Sequence, residues 1–235
     1  MHPPPPDTAT KAAPSPSPAS PRHALSNLAM SMVDVQPLNI QGLLGAAQLD
    51  RSVTSEAHTK CTQWKGEIAH SDFRVGKLMK ALKESGCPFT QQHLVCTVCP
   101  PGSAGGFHPE HGIILCENTF KEKSHMAETL AHELVHAFDY CRVRCDWNNV
   151  RHHACTEIRA ALLSGDCSVA RELKRGNFNI QGQMEKCIKR RAALAISINP
   201  NLPAGSAAKV IDEVYATCVN DTAPFSPSDI DTHML

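Results

Sequence analysis

A segment reading His132-Glu133-Leu134-Val135-His136 has its chemistry set by helix geometry. Histidines four apart fall on one face, about one turn from each other. Their imidazoles can therefore hold one zinc ion. Glu133, beside the first histidine, can reach a water at that ion and take its proton. This is the HExxH arrangement of zinc-dependent peptidases, and the reaction it serves is hydrolysis of a peptide bond.

The pentapeptide alone is moderate evidence. With 13 histidines in 235 residues, random placement yields the pattern somewhere with a probability of ~4%. Its surroundings argue against accident. Met126, Leu130, Leu134, Ala137 and Phe138 recur at helical spacing and predict a buried face, with Thr129 and the two histidines on the other side. Ser124 is placed to cap the helix start, and neither Gly nor Pro interrupts the run before Cys141. A solvent-facing pair of helical histidines is the plain alternative.

Upstream, His93–Val98 and Gly112–Cys116 are short, apolar, β-branched-rich runs bounded by turn residues. Between them lie Pro100–Gly106, Phe107 and a His-Pro-Glu-His turn. These predict a small antiparallel sheet leading into the helix. Ile113–Cys116 is the candidate edge strand for pairing with an extended substrate, with an ordinary core strand as the equal alternative.

A catalytic zinc needs a third protein ligand and one position for water. Arg151–Gly165 predicts a second helix ended by Gly165, on which His153 and Glu157 share a face that Ala160, Ala161 and Ser164 continue. Small residues allow close packing against the first helix, which is how glutamate-type zincins complete their site. Glu157 is the first candidate for the third ligand. His153 is the second, either as ligand or as a hydrogen-bonding group for the reaction intermediate. Asp139, three residues after His136, is a candidate to orient a ligand imidazole. The competing reading of Glu157 is a buried ion pair with Arg142 or Arg159. The expected fold is α+β and zincin-like: a small antiparallel sheet packed on the HExxH helix, with further helices stapled by disulfides.

Eleven cysteines are the second strong signal. Only Cys96 and Cys99 have CxxC spacing, so a second zinc there with Cys116 is less expected than a disulfide framework in an oxidising compartment. The odd count leaves a thiol over, and Cys145 is the candidate. Met184–Ile198 and Ser206–Val219 predict an antiparallel helix pair turning at Asn199–Pro203, which would bring Cys187 and Cys218 within disulfide reach. Residues 1–24 lack the apolar core of a secretory signal. Disulfides without that route fit the mitochondrial intermembrane space.

Formal net charge is zero and no long basic run occurs, so nucleic acid is not an expected partner. The longest apolar runs, Ala192–Ile198 and Gly42–Leu49, fall far short of the ~20 residues of a spanning helix. Residues 1–53 are a Pro/Ser/Ala-rich segment expected to lack fixed structure, within which Pro37–Leu49 is apolar enough for a short helix. Residues 54–222 form the expected catalytic domain, beginning with a helix in two pieces over Thr54–Cys87, and 223–235 a frayed tail. Lys77, Lys80 and Lys83 are most simply a solvated helix face.

HELVHAFDYCR, DWNN and HHACTEIRAALLSGDC, with LVCTVCPPGSAGGF, HGIILCEN and IDEVYATCVNDTAPF on either side, resemble one family. It is the mitochondrial inner membrane metalloproteases that mature subunit 6 of ATP synthase. The resemblance runs from about residue 58 to 226 and departs at Cys145, where the family has an apolar residue. It implies a zinc metalloendopeptidase of the intermembrane space, peripheral on the inner membrane. His132 and His136 would bind zinc, with Glu133 as catalytic base. The implied partners are the subunit 6 precursor and F0 assembly components. A non-proteolytic assembly chaperone, or a disulfide-stapled scaffold with a dispensable zinc site, is the alternative function.

Overall fold

The computed structural model describes residues 51–143 and 145–233. Most of the segment expected to lack structure, Pro37–Leu49 included, lies outside the described residues. Helix α1 (Arg51–Ser71) already runs at Arg51 and is followed directly by α2 (Phe73–Glu84). Asp72 breaks the two apart: its backbone is extended and its carboxylate accepts from the N–H groups of Arg74 and Val75, satisfying donors a helix start leaves open. Val75, Leu78 and Leu82 then turn one face of α2 inward.

Strands β1 (Leu94–Thr97), β2 (Gly105–His108) and β3 (Gly112–Cys116) form a sheet of order β1-β3-β2. Two expectations are corrected here. The sheet is mixed: β2 and β3 are an antiparallel hairpin, but β3 lies parallel to β1. The hairpin folds back so that its second strand slots between the first and β1. Ile113–Cys116 is consequently the central strand, and the edge belongs to β2. Four of the five β3 residues are buried, as a continuous apolar run covered on both faces requires. Gly112 makes the hairpin possible. Its φ is +83°, and a Cβ there would stand 2.3 Å from the carbonyl oxygen of His93.

Helix α3 (Lys123–Val143) packs against β2 and β3, α1, α2 and the next helix, α4 (Val150–Leu163). Enclosure on several sides explains why its buried residues are not confined to the predicted stripe but include Thr129, Glu133, His136 and Asp139. Asn149 starts α4 by accepting from the N–H groups of Arg151 and His152. Ala154, Ala160 and Ala161 are buried along it. Helix α4 is covered by α6 (Gln183–Ile196) and α7 (Ala207–Val219), and the short α5 (Val169–Lys174) leans on α6.

Five disulfides join these pieces: Cys61–Cys96, Cys87–Cys141, Cys99–Cys116, Cys155–Cys218 and Cys167–Cys187. Cys96, Cys99 and Cys116 are therefore bridged rather than gathered round a second zinc. Cys145 is the free thiol, as expected. The Cys187–Cys218 bridge does not form. Helices α6 and α7 do pack together, but each also packs on α4. Cys218 thus meets Cys155 on α4, and Cys187 meets Cys167 in the loop after it.

The C-terminal stretch is not frayed over its described part. Phe225 is buried, the carbonyl of Ala223 accepts from Arg159 at 2.6 Å, and α8 (Pro227–His233) follows. Asp229 takes the ammonium group of Lys77, which removes that lysine from the solvated face expected for it.

Candidate metal centre

Helix α3 presents His132, His136 and Asp139 at spacings of four and three; α4 presents His153, Thr156 and Glu157 at three and one. Where the two faces meet, Nε2 of His132 and Nε2 of His136 lie 3.1 Å apart. The Glu157 carboxylate is 3.5 Å from the first and 3.4 Å from the second. The three residues offer ligand atoms that all lie within 4.8 Å of one another. Arg142 and Arg159, the competing partners for Glu157, are engaged elsewhere: both hold Asp139, and both reach Asp221.

The hydrogen bonds assign the imidazole tautomer of His136. Asp139 accepts from the hydroxyl of Thr156 at 2.9 Å and from the guanidinium groups of Arg159 and Arg142. Having given its only proton to Asp139, the hydroxyl must accept from Nδ1 of His136, 2.9 Å away. Nε2 of His136 then presents a lone pair to the site. Asp139 thus reaches the histidine through Thr156, not directly. His153 is oriented the opposite way. The amide nitrogen of Asn199 donates to the carbonyl of Trp147 at 2.9 Å and to Nδ1 of His153 at 3.0 Å. This leaves the Nε2 proton of His153 facing Glu157 at 3.4 Å. His153 is accordingly a neighbour of Glu157 and not a member of the ligand cluster.

The electrostatics suit a cation. Burial alone would raise Glu157, yet the imidazoles of His136, His132 and His153 hold its carboxyl well below the usual range. Burial lowers His136 to about 4, so its ring is neutral near pH 7. Burial also works against charge on His132, but the carboxylates of Glu157 and Glu133 raise it above the ordinary histidine value. The field between the two helices therefore favours positive charge, which a divalent ion supplies to two imidazoles and a carboxylate. That donor set fits zinc.

Glu133 lies at the junction with the sheet. Burial pushes it up to about 7, and its carboxylate accepts from the backbone N–H of Phe107. The register explains the contact. Cys116 donates to the carbonyl of Ala104 at 2.9 Å, so alternation along the hairpin turns the backbone groups of Gly105 and Phe107 toward the open edge. Gly105 is required there: a Cβ would stand 2.8 Å from Cγ2 of Thr129 and 3.5 Å from Cγ of Glu133.

The sequence reading missed Thr156, Trp147 and Asn199. Trp147 packs edge-on against both His136 and His153, at 5.6 and 5.8 Å between centroids. Thr156 sits directly before Glu157 and was open to discovery from the same helical phase. Asn199 lies 46 residues from His153, and no local pattern connects them.

No solved structure matches the chain. Among proteins of known sequence, it is 48% identical over 142 residues to the mitochondrial inner membrane protease ATP23 of Kluyveromyces lactis, covering 58% of each chain. It is 38% identical over 196 residues to that of Malassezia globosa, covering 75% of this chain and 80% of the relative. The Xenopus laevis homolog is 45% identical over 151 residues, covering 63% and 64%. The chain thus spans between 58% and 80% of the length of these curated relatives. The model of the peptidase M76 family matches residues 59–226, a stretch that contains both helices of the His132–His136–Glu157 cluster, the sheet and all five disulfides. The chain belongs to the peptidase M76 family.

Proposed function

We propose that this protein is a zinc-dependent endopeptidase of the mitochondrial intermembrane space, peripheral on the inner membrane. Its task would be to mature the precursor of ATP synthase subunit 6 and to aid assembly of the F0 sector. The observation that carries the reading is the convergence of His132, His136 and Glu157 from two packed helices, in a chain whose relatives are named inner membrane proteases. Two histidines on one helix and a glutamate on the next is the arrangement of glutamate-type zincins, and we assign the fold to that class. We take residues 54–222 as the catalytic domain.

His132, His136 and Glu157 would hold the zinc. When bound, zinc polarises a carbonyl and makes water nucleophilic near neutral pH. Glu133 takes the proton of the attacking water and returns it to the leaving amine. A carboxyl raised to about 7 is suited to both halves of that transfer. The open edge of β2 gives an extended peptide somewhere to pair, with Gly105 supplying its outward-facing N–H and carbonyl and Phe107 its carbonyl. His153 holds Glu157 in orientation, and Asp139 acts on His136 through Thr156. The burial of Glu133 against β2 keeps bulk water from the reacting centre.

The test is zinc content and peptide cleavage measured together. Glu133→Gln should keep zinc and lose cleavage; metal-dependent proteolysis in that variant would remove Glu133 as base. His136→Ala and Glu157→Ala should lose zinc, and unchanged stoichiometry would disqualify the residue concerned. Recovery of ATP synthase assembly by Glu133→Gln in cells lacking the protein would separate the assembly role from proteolysis.

A further inference from the structure

Aromatic residues make up only 5% of the chain, yet three of them meet beside Glu133. The ring of Phe107 on β2 lies 6.0 Å from that of Tyr140 on α3 and 6.4 Å from that of Phe89, between α2 and β1. Both pairs are tilted, an arrangement that aromatic rings favour. The Cys87–Cys141 bridge fixes the group: one of its cysteines stands two residues before Phe89 and the other directly after Tyr140. Phe89 and Phe107 pack against the core, whereas Tyr140 keeps 43% of its surface exposed. One ring of the group is thus open to a further apolar partner.

Two relationships tie this group to the candidate reacting centre. The backbone N–H of Phe107 is held by the Glu133 carboxylate. Along α3, at about 100° per residue, Tyr140 falls between the phases of His136 and Glu133, one turn past His136. Alternation along β2 decides what else shares that face. A Cβ on Gly105 would run into Thr129 and Glu133, so positions 105 and 107 face α3, and there the ring of Phe107 meets Tyr140. A peptide paired with the open edge of β2 would place every second side chain on this same face. The side chain opposite Phe107 falls beside the open ring of Tyr140. Its two neighbours point to the other side of the sheet, and the next on this face lies opposite Gly105, which offers no side chain to pack against.

We propose that Phe107, Tyr140 and Phe89 form a specificity subsite that takes one aromatic or large aliphatic side chain of the substrate, within two residues of the scissile bond. The inference rests on the reading of the chain as a peptidase and deepens it by naming the side chain selected. The distance from the cut follows from Phe107 itself, whose N–H is bound by the carboxylate that takes the proton of the attacking water. Restriction to a single position follows from the alternation of the paired strands.

The test is digestion of a mixed peptide library by the full zinc-loaded, oxidised chain, with cut sites read by mass spectrometry. It is followed by kcat/KM on paired peptides that differ at one position. Wild type should favour Phe or Leu over Ala by about 10–100-fold at a single position within two residues of the cut, with no such preference on either side of it. Tyr140→Ala should lower that ratio about 3–10-fold, chiefly through a higher KM for the Phe peptide, while Tyr140→Phe keeps it. Tyr140→Lys should turn the preference at the same position toward glutamate, a change that a merely structural ring would not produce. Zinc content is measured on each variant; loss of zinc from Tyr140→Ala would assign the ring to support of the metal centre and overturn the subsite. Cleavage by wild type without a single apolar position, or an unmoved ratio in Tyr140→Ala, would overturn the subsite alone. Absence of metal-dependent cleavage of any peptide by wild type would overturn the peptidase reading and the subsite with it.

Discussion

The hydroxyl of Thr156 lies 2.9 Å from Nδ1 of His136, and its own proton is committed to Asp139. One neutral side chain thus lets a carboxylate that does not touch the ring control the tautomer of His136. Thr156→Val keeps the shape and removes the relay. It should lower zinc affinity about 10–100-fold, read by chelator competition, while Thr156→Ser restores it. Equal affinity for the valine variant would show that the tautomer needs no such support.

Glu157 has a second anchor two residues back. Cys155 is bridged to Cys218 on α7, fixing the turn of α4 that carries Thr156 and Glu157. Replacing both cysteines with serine should cost about 2–5 kcal/mol of stability and weaken zinc retention as well. Replacing Cys99 and Cys116, which join the loop after β1 to the end of β3 and lie on neither helix of the His132–His136–Glu157 cluster, should lower the melting temperature with less effect on metal. The comparison is made by thermal denaturation and zinc analysis of the two double variants. Equal zinc loss in both would deny Cys155–Cys218 any particular hold on the site.

What was legible in the sequence was whatever repeats locally. The His132–His136 pair and the His153–Glu157 face are helical spacings, and the structure brings both to one point. The β2 strand was illegible because Gly105 and Gly106 give no β-forming signal; Gly105 is there for clearance against α3, a tertiary requirement. The same holds for the disulfides. Cys187 and Cys218 sit at matching ends of a helix pair, but a third element, α4, lies against both and takes up the Cys218 side chain. Pairing order depends on which surface each helix buries, and spacing does not carry that information.

Clearance at Gly105 bears on the proposed role of Glu133. Gly105→Ala places a methyl group 2.8 Å from Cγ2 of Thr129 and 2.9 Å from the carbonyl oxygen of Ile114, so β2 must move away from Glu133. Zinc should stay bound and peptide cleavage fall by about 10–100-fold, the range expected when a positioned proton-transfer group is displaced. Combining it with Thr129→Ser relieves one of the two contacts and should recover part of the rate. Full activity in Gly105→Ala would mean that the sheet and Glu133 are not coupled.

Cys145 is the one thiol outside the five bridges. Burial, with Asp139 and Asp146 adding negative charge nearby, pushes it up to about 12. The thiolate is the reactive form, so at pH 8 only about one thiol in 10⁴ is ionised, some three orders fewer than for an exposed cysteine. Iodoacetamide should label the native protein very slowly at that pH and rapidly once it is unfolded, giving a single adduct under oxidising conditions. Fast native labelling would contradict the half-buried placement of the thiol near Asp139 and Asp146.

Acid should remove the stabilising contribution of Asp166, which accepts ion pairs from Arg175 and Arg191 beside the Cys167–Cys187 bridge. Burial alone would raise its carboxyl, but Arg191 and Arg175 outweigh that and hold it below the ordinary aspartate value. A carboxyl depressed on folding contributes stability above its unfolded value, about 3.9. The contribution disappears as pH falls through the lower folded value, because the unfolded chain then binds the proton more readily. Asp166→Asn should therefore be about 2–4 kcal/mol less stable than wild type near pH 7, the usual consequence of stranding one side of a buried ion pair. That gap should narrow steadily below about pH 4. Urea titrations of the two proteins across this range provide the measurement. A difference that stays constant from pH 7 to 3 would show that Asp166 acts through packing and not through its charge.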